Sequence, residues 1–201
     1  MKRLLLSMAL LFVAGTVAFG AVSGTAHDLR GTIGGSQICV PCHTPHGGTP
    51  DVPLWNHAAQ AGGYTPYTST TIDADDANAG DPQAGSISFL CLSCHDGSIA
   101  LGSVINDPGD LTDTTTTMGA VIANLGTDLA NDHPVAFAYD NQVFTDDGGL
   151  VDPSTITTVT FFGGGNDMEC ATCHDVHDNT NAPFLVMSNA ASALCTTCHV
   201  K

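Results

Sequence analysis

The sequence has 201 residues, with four Lys and Arg against twenty Asp and Glu, and a formal net charge of −16. So acidic a chain excludes nucleic-acid binding, which needs basic groups to neutralise phosphates. It calls instead for metal ions, salt or basic partners to offset its field.

The chain opens with Met1-Lys2-Arg3 and then runs apolar and uncharged from Leu4 to Ala21. This predicts a secretory signal over 1–20, with cleavage as late as residue 26. An uncleaved anchor is the alternative, since the run is about long enough to cross a bilayer. Once the signal is removed no membrane span is expected, and Arg30 and Lys201 are the full positive charges that remain.

Gly, Thr, Asp, Asn, Ala and Pro dominate the rest of the chain, and few windows carry a helical apolar stripe. The stretch from Asp73 to Asp81 reads as a solvated loop, or as a calcium loop whose oxygens miss the EF-hand spacing. Thr112 to Thr117 is a second loop. Short helices are expected over 118–130 and 188–195, and a strand over 155–162, where β-branched and aromatic residues run up to Gly163-Gly164-Gly165.

Eight cysteines in an exported chain would ordinarily mean disulfides. Here they fall as Cys39/Cys42, Cys91/Cys94, Cys170/Cys173 and Cys195/Cys198, each pair spaced Cys-x-x-Cys and each followed at once by histidine. One such motif could be a zinc ligand set or a redox pair. Four, with no cysteine left over, point to covalent attachment of four c-type haems, the thiols adding to vinyl groups and the histidine binding iron. His43, His95, His174 and His199 are then the proximal ligands. The expected fold is a mostly irregular multihaem cytochrome c of loops, a few short helices and a short strand, in which four haems replace the conventional core.

The other five histidines are His27, His46, His57, His133 and His177. His46 and His177 each follow a motif histidine by three residues, and His27 and His133 each precede a pair of motifs. This order suggests two duplicated dihaem modules, 21–130 and 131–201. If each closes its own irons, His27 and His46 are distal ligands in the first and His133 and His177 in the second. His57 is then a weaker candidate with a packing role. Met118, Met168 and Met187 are minor alternatives as axial thioethers. Three residues cannot carry His46 or His177 around a porphyrin rim to the far face of its neighbour's iron, so each must serve a different iron. His27 or His46 could also reach an iron in another copy.

Cys42-His43-Thr44-Pro45-His46, Pro53-Leu54-Trp55-Asn56, Leu90 to Gly97, Asn131-Asp132-His133-Pro134 and Cys173-His174-Asp175-Val176-His177 resemble motifs of the doubled Cys-x-x-Cys-His multihaem cytochromes of metal-reducing bacteria. Haem count, length and export signal are similar to the OmcE-type extracellular tetrahaem cytochromes, which polymerise into conductive filaments. The resemblance implies bis-histidine irons, a continuous haem chain and one axial ligand crossing between subunits. The function expected is electron transfer rather than catalysis. Its form is an extracellular filament conduit whose partners are copies of itself, redox partner cytochromes and external electron acceptors. A soluble periplasmic shuttle and a multihaem reductase are the alternatives; the reductase needs an open iron and basic groups to draw in an anion.

Overall fold

The first, third and fourth Cys-x-x-Cys pairs each close a single helical turn, and the second lies at the end of a longer helix. The His43 N–H donates to the Cys39 carbonyl at 2.8 Å, His174 to Cys170 at 3.0 Å and His199 to Cys195 at 3.0 Å. Residues three and four apart are neighbours on a helix surface, so this turn brings both thiols and the histidine to one side. The computed structural model describes residues 22–48, 54–59, 62–73, 82–164 and 166–200. The predicted signal over 1–20 lies outside them, as does the acidic loop from 74 to 81.

In chain order the elements are α1 (Arg30–Ile33), α2 (Ile87–His95), β1 (Phe137–Ala138), α3 (Asn141–Asp147), β2 (Asp167–Met168), α4 (Cys170–Cys173) and α5 (Cys195–Cys198), with 3-10 turns at Pro153–Thr155 and Ala190–Ser192. The rest of the described chain is turns and irregular backbone, as the composition predicts. β1 and β2 form one antiparallel pair, with Phe137 opposite Met168. α2 begins where the Ser86 hydroxyl accepts from the Phe89 N–H, and α3 where the Asp140 carboxylate accepts from Gln142 and Val143, both by side-chain capping.

Two local expectations fail, for the same reason. The predicted strand over 155–162 does not form. Asp152 accepts from the Ser154 N–H at 2.8 Å, and Pro153 starts a 3-10 turn there. Only Phe162 pairs, in an isolated bridge to Asp167. The predicted helix over 118–130 is replaced by turns in which Asn124 donates to the Met118 and Gly119 carbonyls and accepts from the Gly126 N–H. In both places short polar side chains offer the backbone a competing set of hydrogen bonds. The third prediction, 188–195, falls early: a 3-10 turn at Ala190–Ser192 is broken by positive φ at Ala191 and Ser192, and α5 starts at Cys195.

Two small apolar clusters stand in for a core. Tyr64, Phe89, Leu92 and Leu129 make one, with Leu125 against it. Tyr139, Met168 and Cys198 make the other, flanked by Phe137, Leu150, Ile156 and Phe161. α2 packs on α4, which carries the second attachment motif against the third.

Candidate functional site

A buried polar anchor holds each attachment motif. At the first, Asn56 is 0% exposed; its side chain donates to the Val40 and Asn106 carbonyls and accepts from the Asn106 N–H. Its backbone N–H donates to Cys42 at 2.9 Å. At the second, the buried Tyr64 hydroxyl donates to Asp96 at 3.0 Å, just after His95. Gly97 follows with φ +68, where any Cβ would collide with the Asn124 side chain. At the third, Glu169 and Ser88 bind across α4 and α2. At the fourth, the Tyr139 hydroxyl donates to the Val151 and Cys198 carbonyls at 2.9 and 3.1 Å, and its ring lies 5.1 Å from Phe161 in a near-parallel stack. Burial, with Cys198 adding, pushes the Tyr139 phenol up to about 12.

None of the eight thiols is in a disulfide. Burial pushes the Cys42 thiol up to about 11, Cys94 to about 12 and Cys198 to about 11. These three thiols are unlike the low-pKa cysteines of redox-active pairs, whereas the adjacent Cys91 pulls the Cys170 thiol down. Among the described residues no three His, Cys, Asp or Glu converge as a metal-holding group, whereas a zinc ribbon requires four at bond distance. Cys94 lies near Cys42, Cys91 against Cys170, and Cys173 near Cys195. Motifs that are neighbours in the chain are thus also neighbours in space.

The histidines come together in pairs. Ring centroids are 6.0 Å apart for His27 and His95, 6.1 Å for His43 and His177 and 6.2 Å for His133 and His199. Two imidazoles on opposite sides of one metal ion, with metal–nitrogen bonds of about 2 Å, stand about 6 Å apart centroid to centroid. Each pair joins one motif histidine to one non-motif histidine. Nδ1 of His95, His133 and His174 faces a backbone carbonyl, of Ala123, Pro134 and Pro183 respectively. A carbonyl only accepts, so Nδ1 carries the proton and Nε2 presents its lone pair, the tautomer a metal ligand needs. Burial pushes the His27 imidazole pKa down, with His95, His174 and His177 adding to it. Its Nδ1 is buried without a hydrogen-bond partner. A ring kept neutral with an unpaired nitrogen suits metal ligation. The Phe184 ring meets His27 edge-on at 4.7 Å, and Trp55 meets His43 edge-on at 6.1 Å. The side chains fit covalently held haem with paired axial imidazoles.

Two of the three pairs lie on one side of residue 130 and one crosses it. His27 meets His95 and His133 meets His199, each within one half, but His43 meets His177 across the halves. His46 is exposed, and its described hydrogen bonds run through its carbonyl, which accepts from Thr44 and Asn106. His57 is 2% exposed, with Nδ1 2.6 Å from the Ala58 carbonyl and Nε2 3.1 Å from that of Ala100. Burial pushes the imidazole pKa down, and the neutral ring's single N–H donates to one of these two carbonyls. Met168 lies in the second apolar cluster, and the Met187 sulfur accepts from Thr197 at 3.6 Å. The four anchors are what sequence reading missed. The chain's single glutamate, set directly before Cys170, was the one compositional hint.

Residues 164–201, which hold the third and fourth motifs, match the doubled CXXCH motif family. Comparison with curated proteins gives no match. The match supports a multihaem c-type cytochrome, with haem bound covalently through the motif cysteines and a role in electron transfer. Proteins with such motifs are generally exported. Among the described residues no helix is long and apolar enough to cross a membrane.

Proposed function

We propose that this chain is an exported tetrahaem electron conduit whose copies join into extracellular filaments that deliver electrons to external acceptors. The carrying observation is the set of three imidazole pairs at about 6 Å, each joining a motif histidine to a distal one. Haem held this way supplies one-electron exchange at an iron with no open position. The carbonyls at Nδ1 of His95, His133 and His174 leave Nε2 of each as the lone-pair nitrogen that would hold a metal, and the anchors fix the neighbouring motifs. His43, His95, His174 and His199 are the proximal ligands. His27, His177 and His133 are the distal ligands for the second, first and fourth motifs.

His174 and His46 complete the account between copies. With six histidines paired and His57 braced by carbonyls, His46 is the histidine left to serve the third motif. Both rings sit on residues exposed to solvent. His46 of one copy then ligates the iron carried by His174 of the next, and the relay continues from chain to chain. Against a reductase stands Arg30, which is bound to the Asp28 carboxylate at 2.8 and 2.7 Å and so is not available to draw in an anion.

Electron micrographs of the secreted, haem-loaded protein test this reading, together with the same preparation carrying His46→Ala. Filaments of regular repeat are expected from the parent, at four haems per chain. The variant should keep four haems and give no filaments. Monomers alone, at high concentration and native salt, would replace the conduit with a soluble periplasmic shuttle. Carbon monoxide binding by the reduced parent filament would revive the reductase.

A further inference from the structure

Glu169 is the one glutamate among nineteen aspartates, and it is 4% exposed. Its Oε2 accepts from the Ser88 N–H, in the first turn of α2, at 2.9 Å. The buried Ser88 hydroxyl in turn accepts from the Cys170 N–H, at the start of α4, at 3.0 Å. The Glu169 N–H donates to Thr172 Oγ1 at 3.0 Å. First-turn N–H groups have no partner within their own helix, and a carboxylate placed against them is favoured by the helix dipole. Here two helices each satisfy an orphan donor of the other. An aspartate reaches about 1.5 Å less, which accounts for a glutamate at this one place.

Both helices carry attachment cysteines. α2 holds Cys91, Cys94 and His95, and α4 holds Cys170 and Cys173 with His174 next. The Cys91 and Cys170 thiols are close enough to hydrogen-bond, which together with burial pushes the Cys91 pKa well up. The second and third motifs thus meet at their first cysteines, directly beside the Glu169–Ser88 link.

We propose that Glu169 is a positioning residue for electron exchange: with Ser88 it locks the Cys91–His95 motif to the Cys170–His174 motif and so fixes the gap and tilt between the two haems attached there. The inference rests on the reading that both motifs carry haem. A link serving the fold alone would affect melting without touching the coupling between these two groups.

The test uses full-length, haem-loaded protein as parent, Glu169→Ala, Glu169→Gln and Ser88→Ala. Haem per chain and low-spin absorbance are read first, then the bisignate Soret circular dichroism of coupled haems and the spread of reduction potentials. Glu169→Ala and Ser88→Ala are expected to keep four low-spin haems, lose Soret couplet amplitude and narrow the spread of potentials. Glu169→Gln, whose amide oxygen can still accept from Ser88, should restore both. An unchanged couplet and spread in Glu169→Ala overturns the proposal, and so does a Gln variant that behaves like Ala. If Glu169→Ala is not recovered with haem, Ser88→Ala decides by the same two signals. A parent peptide map lacking haem at Cys91/Cys94 or Cys170/Cys173 overturns both readings. Haem missing from the first or fourth motif counts against the tetrahaem conduit alone.

Discussion

Asn56→Ala removes three hydrogen bonds in one step, from a side chain with no solvent exposure. The Val40 carbonyl, the Asn106 carbonyl and the Asn106 N–H all lose their side-chain partner. At about 1 kcal/mol for each bond, the loss comes to about 3 kcal/mol. For a chain of this size that lowers the melting midpoint by about 6–12 °C. Asn56→Asp should cost more: it keeps an acceptor for Asn106 but turns a carboxylate toward two carbonyls. The Val40 carbonyl lies inside the first attachment motif, so the damage should also appear as a shifted signal from the iron held by His43. Calorimetry and low-temperature spin resonance on the haem-loaded protein measure both. A midpoint within about 2 °C of the parent would refute the view that Asn56 ties this motif to the loop at 106.

Replacing His57 with Ala should leave every low-spin haem signal in place and cost about 1–3 kcal/mol in stability, read by the same melt; loss of one low-spin haem would make His57 a ligand. Phe184 is buried with φ +59 and packs on His27, so Phe184→Ala should destabilise by about 3–5 kcal/mol and move the potential of the iron bound through His95, with spectroelectrochemistry as the check. Hydrogen bonds from Thr116 and Thr115 hold the Asp113 carboxyl well below the usual carboxylate range. A depressed acid stabilises the fold above its ordinary pKa, and this is lost as pH falls through the depressed one. Amide exchange in the 113–116 turn should therefore rise below about pH 4, and Asp113→Asn should raise it at neutral pH.

What could be read from the sequence was chemistry written in contiguous residues. Cys-x-x-Cys-His specifies its own helical turn, and the surplus of histidine over motifs pointed to the non-motif rings that lie beside three motif histidines. Local elements were less legible where Asp and Asn intervene. Asp152 and Asn124 turn the backbone aside by bonds of two to six residues' reach, and β-branched content at 155–162 could not outweigh them. Partnerships between distant residues were least legible. That His43 faces His177, and that Glu169 reaches Ser88 where α2 packs against α4, are contacts between segments far apart in the chain for which no periodicity in either segment gives a signal.

The pairing of His43 with His177 imposes an order of completion on the chain. Cys39 and Cys42 emerge early during synthesis, yet the imidazole that faces their histidine, that of His177, emerges late. If His177 supplies the second ligand at the first motif, as proposed, the earliest attachment site waits longest for its completion. A chain cut short before the third motif would then leave that site with one protein ligand and the reactivity of an open iron, so the far end of the sequence would seal its beginning.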